Sequence, residues 1–471
     1  MSGRSAADGQ QVRGGIARAA LPYLPVGLAL FALQLDFFSL SLALPTISRD
    51  LGVPVTDLQW LLSGYLLSLG AVFVPAGKIG DTIGRRRALV IGLIVFGGTS
   101  LVCGLTSDAP LLIAFRVLQG IGAGLIMPNA FALMGATTLE SQRAKIMGLM
   151  LGVAGAGTAL GPVVGGILAS TAGWRWVFFI NVPIALIAVL GALRLPESYG
   201  EGARGSLRSI DWLGVALVMA GLGFTSIGID NTSNLGISAP LTWAPLVAGI
   251  SLLAWFVVRA LRIPNPLVRP ALLGNGAFVF LVVAGTALNL GLNVSVFIAT
   301  LQLQSVDHLS AALAGIVFML ASVGLAVGGP AAGWLTSRFG APSVLSGSLV
   351  VGALSVALVA VSPNLVVYVV ALGVSGFCCG MGYAVSQIGA QSLLPASQAG
   401  EGSSLLLTFL VSIGGISVVV AGAVVEVLSG APTQGSLALV LLGLAVFLAM
   451  IGIGSLAIIA RRGPLRRPAE R

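Results

Sequence analysis

Residues 21–45 read LPYLPVGLALFALQLDFFSLSLALP, an apolar run with one acidic residue, Asp36, and no basic one. A helix needs about 20 predominantly apolar residues to cross the hydrocarbon core of a bilayer, so this stretch is predicted to span a membrane. Runs of the same kind recur to the end of the chain, separated by charged or Gly/Pro/Asn-rich breaks. They give fourteen candidate spans. The first six are Leu21–Pro45, Leu58–Ala76, Ala88–Thr106, Pro110–Ala136, Ala144–Ser170 and Val177–Leu193. After the mixed-charge loop RLPESYGEGARGSLRSID come Ile210–Ile229 and Leu241–Leu261, then Gly276–Thr300, Ser310–Thr336, Pro342–Val361, Leu365–Leu394, Gly402–Leu428 and Gln434–Ala460.

Composition agrees with this reading. Of 471 residues, 24 are Lys/Arg and 15 Asp/Glu, so 8% are charged, against roughly a quarter in soluble domains. Hydrophobic residues make up 57%, and the mean hydropathy is +1.04. A soluble globule is excluded, and the alternating pattern of an outer-membrane barrel is absent. The 65 Gly are about twice the usual ~7% share, which suits closely packed transmembrane helices. An all-α polytopic membrane protein is therefore expected.

The net charge of +9 is read as topology, because the basic residues recur in every second loop. Arg49 and Arg175 fall on the side away from the N-terminus, Arg116 lies within a span, and the other basic residues share the N-terminal side. The positive-inside rule places both termini in the cytoplasm and the protein in the cytoplasmic membrane, with no nucleic-acid partner. Cys103, Cys378 and Cys379 lie in apolar runs and imply no disulfide framework. The N-terminus MSGRSAADGQQVRGG lacks the order of a signal peptide, so the first helix is expected to be retained.

The segment after span 2, GKIGDTIGRRRAL (77–89), and the one after span 10, GWLTSRFG (333–340), both place Gly, a polar turn and a second Gly near Arg. Aligning them divides the chain as 6+2+6. The expected units are a cytoplasmic tail (1–20), a six-helix bundle (21–193), a linker with two inserted spans (194–275), a second six-helix bundle (276–460) and a basic tail (461–471).

Several motifs then fall in a fixed order. Span 1 holds LDFFSLSLALP (35–45), span 4 RVLQGIGAG (116–124), span 5 GTALGPVVGG (157–166) and the approach to span 6 WRWVFFINVP (174–183). With the loop at 77–89 and the fourteen-span count, the sequence resembles the major facilitator superfamily, and within it the fourteen-span drug:proton antiporter branch, over residues 20–460. Thr82 departs from the loop pattern, which usually has Arg after its Asp. The resemblance implies two bundles around a central cavity. It also implies that the span 5 helix, through Gly157, Gly161, Pro162 and Gly165, seals and opens the interface between them. Asp81 and Arg85, in the loop whose Gly77 and Gly84 are also conformational candidates, would latch the two bundles on the cytoplasmic side, with Asp81 favouring the N-terminal end of span 13 near Gly402. Read alone, the glycines at every fourth position bare a face for packing, and the loop is a tight turn with a positive-inside cluster.

Asp36 stands without the resemblance. An ionisable residue in mid-span is costly in lipid and normally faces an interior cavity with a function. It is expected to carry a proton, with Arg116 as its neighbour; a permanent structural pair is the alternative. Glu426, near the outer end of span 13, is a second proton-site candidate. Asp230, Asp307 and His308 fall at outer edges. Candidate substrate contacts are Trp60, Tyr65 and Gln119, with Phe37 and Phe38, near the charged site, and two stripes at helical spacing. One is Thr286, Asn289 and Asn293 in span 9, the other Tyr383, Gln387 and Gln391 in span 12. Interhelical hydrogen bonding is the other reading of those amides.

Enzyme motifs are absent. The single His excludes HExxH and multi-histidine metal sites, and Lys78 and Lys145 are each followed by Ile, so no phosphate loop occurs. No cofactor or metal is expected, and the chain is read as a transporter. Its expected partners are a small-molecule substrate, protons and the lipid bilayer, with a monomer sufficient. The expected function is proton-coupled export of small amphipathic, often cationic drugs or antibiotics. A transporter of one specific metabolite is the alternative, with a membrane-embedded enzyme or receptor more remote.

Overall fold

The computed structural model describes residues 20–55, 57–200, 210–236, 239–263, 266–268, 270–362, 364–393, 396–430 and 432–462. The tails at 1–19 and 463–471, the loop at 201–209 and the side chain of Gln391 lie outside the described residues. Fourteen helices are long and apolar enough to cross a membrane, and no strand occurs among the described residues. They are α1 (Leu24–Leu51), α2 (Trp60–Ile83), α3 (Arg85–Leu105), α4 (Ala109–Thr137), α5 (Glu140–Thr171) and α6 (Arg175–Ala192, interrupted at Ile180). Next come α7 (Trp212–Asn234), α8 (Pro240–Ala260), α9 (Gly276–Leu301) and α10 (Ala311–Phe339). The chain ends with α11 (Ala341–Ala360), α12 (Leu365–Leu393), α13 (Ala396–Ser429) and α14 (Gln434–Arg462). Each helix pairs its own backbone polar groups, which lipid cannot do for it. Side-chain caps from Asp108, Asp211, Asn275 and Ser310 satisfy the first amides of α4, α7, α9 and α10.

Packing repeats with an offset of eight helices. In the first half α1 packs on α5 and α6, α4 on α2 and α3, and α3 on α6. In the second half α9 packs on α13 and α14, α12 on α10 and α11, and α11 on α14. The seam between halves is symmetric too, with α2 against α13 and α5 against α10. The inserted α7 and α8 form a hairpin whose α7 lies on both α2 and α13, while α8 is the most exposed span.

The repeated loop motif has a plain physical basis. α2 and α3 are joined by Gly84 alone at φ +108°, and α10 and α11 by Gly340 alone at φ +78°, a backbone region that glycine enters without steric cost. The turn is shorter than the sequence suggests, and Gly77 and Asp81 belong to α2.

An even number of crossings puts both chain ends on one side, called inner here. Contacts between halves run from the outer end to the middle. Gln304 Nε2 donates to the Leu42 carbonyl at 3.0 Å, and Thr408 Oγ1 donates to the Gly70 carbonyl at 2.9 Å. Gly422 lies against Gln59, Gly166 against Ala311, and Gly315 against Pro162. Toward the inner end, a Cβ added at Gly77, Gly148, Gly152, Gly329 or Gly333 would meet nothing within 4 Å. The described contacts across the seam lie from its outer end to its middle.

Candidate functional site

Asp36 and Arg116 are fully buried and form an ion pair, with Arg116 Nη1 donating to Asp36 Oδ2 at 2.7 Å. Two amides complete the carboxylate's partners. Asn181 Nδ2 donates to Oδ1 at 2.7 Å, and Gln119 Nε2 donates to the same oxygen at 3.2 Å. Arg116 Nη1 also donates to Gln119 Oε1 at 2.7 Å, and its Nε to the Leu61 carbonyl at 3.0 Å. The guanidinium sits 4.4 Å over the Tyr65 ring, which adds a cation–π contact in a dry setting. Asn181 Nδ2 reaches Ser100 Oγ at 3.2 Å, extending the network to α3. Neither Ser100 nor Asn181 was anticipated from sequence. A polar side chain at 181 in an otherwise apolar run was the available signal.

The sequence placed Asp36 toward a central cavity, and the structure corrects this. Asp36 points onto α4 and α6 inside its own half. The seam is faced by Phe38 and Ser41, which line a crevice with Pro162, Leu292 and Val296. The reason is angular: residues two apart on a helix lie about 200° apart, so 36 and 38 address nearly opposite surroundings. Trp60 is also displaced from the expected place. Its indole Nε1 donates to Asp230 Oδ2 on α7 at 3.2 Å, and Gln59 Nε2 donates to Oδ1 at 2.8 Å. Glu426 of α13 lies within electrostatic reach of Asp230, far in sequence but at the same outer rim. Asp230 thus ties the inserted hairpin to α2 beside the seam.

The glycine stripe is redirected in the same way. Gly157, Gly161 and Gly165 meet Phe31, Phe38 with Leu35, and Ser39, all on α1. Ser39 Oγ donates to the Gly161 carbonyl at 2.8 Å. This is packing within one half, and the adjacent face carrying Pro162 and Gly166 meets α10. A Cβ at Gly315 would collide with the Pro162 carbonyl oxygen. Gly315→Val should therefore hold the outer seam apart. In a background lacking the native cysteines, labelling of Ser41→Cys by an impermeant thiol reagent should rise about tenfold from the outer face as the population shifts. Equal labelling with and without the valine would show that this contact does not close the seam.

In the second half, Asn293 Nδ2 donates to Asn289 Oδ1 at 2.8 Å, and the pair rests on Gly414 of α13. Tyr383 is hydrogen-bonded to Gln387 and packs against two buried apolar clusters. Thr286 Oγ1, Gln387 Oε1 and Ser412 Oγ are buried without a hydrogen-bond partner among the described residues. Buried polar atoms are normally paired, so these are acceptors and donors in waiting near the middle of the bundle.

At the inner end, Arg85 Nη2 pairs with Asp81 Oδ1 at 2.8 Å. The segment after α6 folds onto this corner: Arg85 N donates to the Ser198 carbonyl, and Glu197 Oε1 accepts from Arg86 N at 2.8 Å. Glu197 was not anticipated. The side chains of α13 at 396–401 lie outside the described residues, and Asp81 is held here by Arg85.

Comparison with known proteins agrees with this architecture. The chain is 32% identical to the tetracenomycin C resistance and export protein of Streptomyces glaucescens over 70% of its length, and spans 60% of that protein. It is 28% identical to the methylenomycin A resistance protein of Bacillus subtilis (strain 168), covering 76% of this chain and 77% of that one. The crystal structure of a mutant of the peptide transporter POT in complex with sulfate superposes with a TM-score of 0.71 at 16% identity, covering 95% of this chain and 96% of that one, which supports the fold. The sequence profile of the Major Facilitator Superfamily matches residues 26–302 and 279–471. The chain is a multi-pass membrane protein and belongs to the Major Facilitator Superfamily.

Proposed function

We propose that the protein is a proton-coupled antiporter that exports small amphipathic, often cationic drugs or antibiotics across the cytoplasmic membrane by alternating access. The observation that carries this reading is the buried Asp36, a titratable group held by donors from α4 and α6 on a helix whose other face lines the seam. The names of the relatives, as resistance and export proteins, support it. In this reading both termini are cytoplasmic, as the positive-inside rule favours, so the inner end faces the cytoplasm.

In this scheme the bundles at 21–193 and 276–460 rock about the seam, with 194–275 linking them. Protonating Asp36 dissolves its ion pair with Arg116 and loosens α1 from α4 and α6. The same helix carries Phe38 and Ser41, so charge on one face is converted into a change at the seam. Cargo is held by Thr286 Oγ1 and Gln387 Oε1 of the second half, with Tyr383 and Asn293 beside them. Glu426 and Asp230 lie on the outer rim that must part for release, and the Asp81–Arg85 corner closes on α13 when it does. One proton returning down ~100 mV and one pH unit supplies about 2.3 plus 1.4 kcal/mol, enough for roughly a 500-fold gradient of a neutral substrate.

The experiment is efflux of an aromatic cation such as ethidium from cells and proteoliposomes. Efflux should collapse with a protonophore while ATP remains. Transport by the purified protein that needs ATP and no proton gradient would sink this reading.

A further inference from the structure

A second pocket lies at the outer end of the second half, between α9, α11, α12 and α14, away from the Asp36 network. Its volume is ≈ 200 Å³, room for a small organic molecule or several waters. The floor is apolar, with Leu437 and Leu441 buried. Tyr368, only 7% exposed, also lines it, and its hydroxyl has no hydrogen-bond partner among the described residues. Gln302 and Asp307 stand on the wall, with Gln302 Nε2 donating to Asp307 Oδ1 at 3.1 Å.

Local backbone geometry sets this wall apart. α9 does not end in a simple cap but widens into a π-helical turn over Gln302–Val306, a feature frequent at functional sites. Two residues on, His308 takes a left-handed conformation, φ 56°, which is uncommon outside glycine. The widened turn and the following bend bring Gln302 and Asp307 to one cavity wall.

Among the described residues no Lys or Arg lines the cavity, and its charged residue is Asp307. The remaining polar side chains, Gln302, Ser362, Asn364, Tyr368 and Gln434, are uncharged and each offers an oxygen. An anion finds no counter-charge there, whereas a small ammonium ion finds a carboxylate at the rim, an unpartnered phenol oxygen in the floor and aliphatic walls for its hydrocarbon part. We propose that this cavity is a binding site for a compact organic ammonium ion arriving from the outer face. The assignment stands on these groups alone and does not depend on the direction or energetics of transport.

The test is calorimetric titration of the purified full-length protein with benzylammonium chloride, alongside benzyl alcohol as a neutral counterpart of similar size. Binding of the ammonium is expected, with the alcohol at least about tenfold weaker. Asp307→Asn should weaken the ammonium about tenfold, and Tyr368→Phe, which removes only the hydroxyl, about threefold to tenfold. Ala438→Phe, filling the cavity, should abolish it. Asp36→Asn should leave it unchanged, which separates this site from the charged network. Melting temperatures close to the parent's check that the variants fold. The proposal is overturned if benzylammonium shows no binding up to about 10 mM, if the alcohol binds equally well, or if any of the three cavity variants retains the parent's affinity.

Discussion

Asp36→Asn should abolish export driven by a pH gradient while ethidium binding stays within about threefold of the parent. The two halves of this expectation come from different observations. Loss of coupling follows because asparagine cannot titrate and no other fully buried carboxylate occurs among the described residues of the spans. Retention of binding follows because Asp36 is enclosed by Arg116, Gln119 and Asn181 and does not line the seam. Sequence alone does not separate direct attraction of a cationic substrate by Asp36 from pure proton carriage. The enclosure favours the second. A parallel loss of binding, of about a hundredfold, would return Asp36 to the substrate site.

Arg116→Ala is expected to lower stability by about 3–5 kcal/mol, because it strands a carboxylate that has no access to water. It also removes donors to Gln119 and the Leu61 carbonyl and the cation stacked on Tyr65. Arg116→Lys should not restore the loss, since an ammonium cannot bond Asp36, Gln119 and Leu61 together in the plane that the guanidinium uses. The double variant Asp36→Asn/Arg116→Gln should recover most of the stability without recovering coupling. Thermal unfolding in detergent reads all three. A lone Arg116→Ala as stable as the parent would mean the pair is more hydrated than its burial indicates.

The spans were legible because lipid imposes a length and a composition on each, and those are properties of the sequence alone. The repeat was legible because a one-residue linker such as Gly84 or Gly340 demands glycine. Direction was not legible. Periodicity shows that Gly157, Gly161 and Gly165 share a face but not that the face meets α1 instead of α10. Trp60 looked like a neighbour of Asp36 because both lie in the first half, yet α7, inserted more than 150 residues later, supplies its partner Asp230. Asn181 and Glu197 were missed for the same reason, since their partners lie 145 and 111 residues away. A side chain's chemistry is local, but the group that completes it arrives with the fold.

Export by proton exchange is tested most directly by proton movement itself. In proteoliposomes with a trapped pH dye, no initial pH gradient and the membrane potential clamped, an outward ethidium gradient should drive protons inward through the parent protein. In Asp36→Asn no such flux should appear. Ethidium leaving the parent vesicles with no change in internal pH, or an equal proton flux through the asparagine variant, would contradict the account.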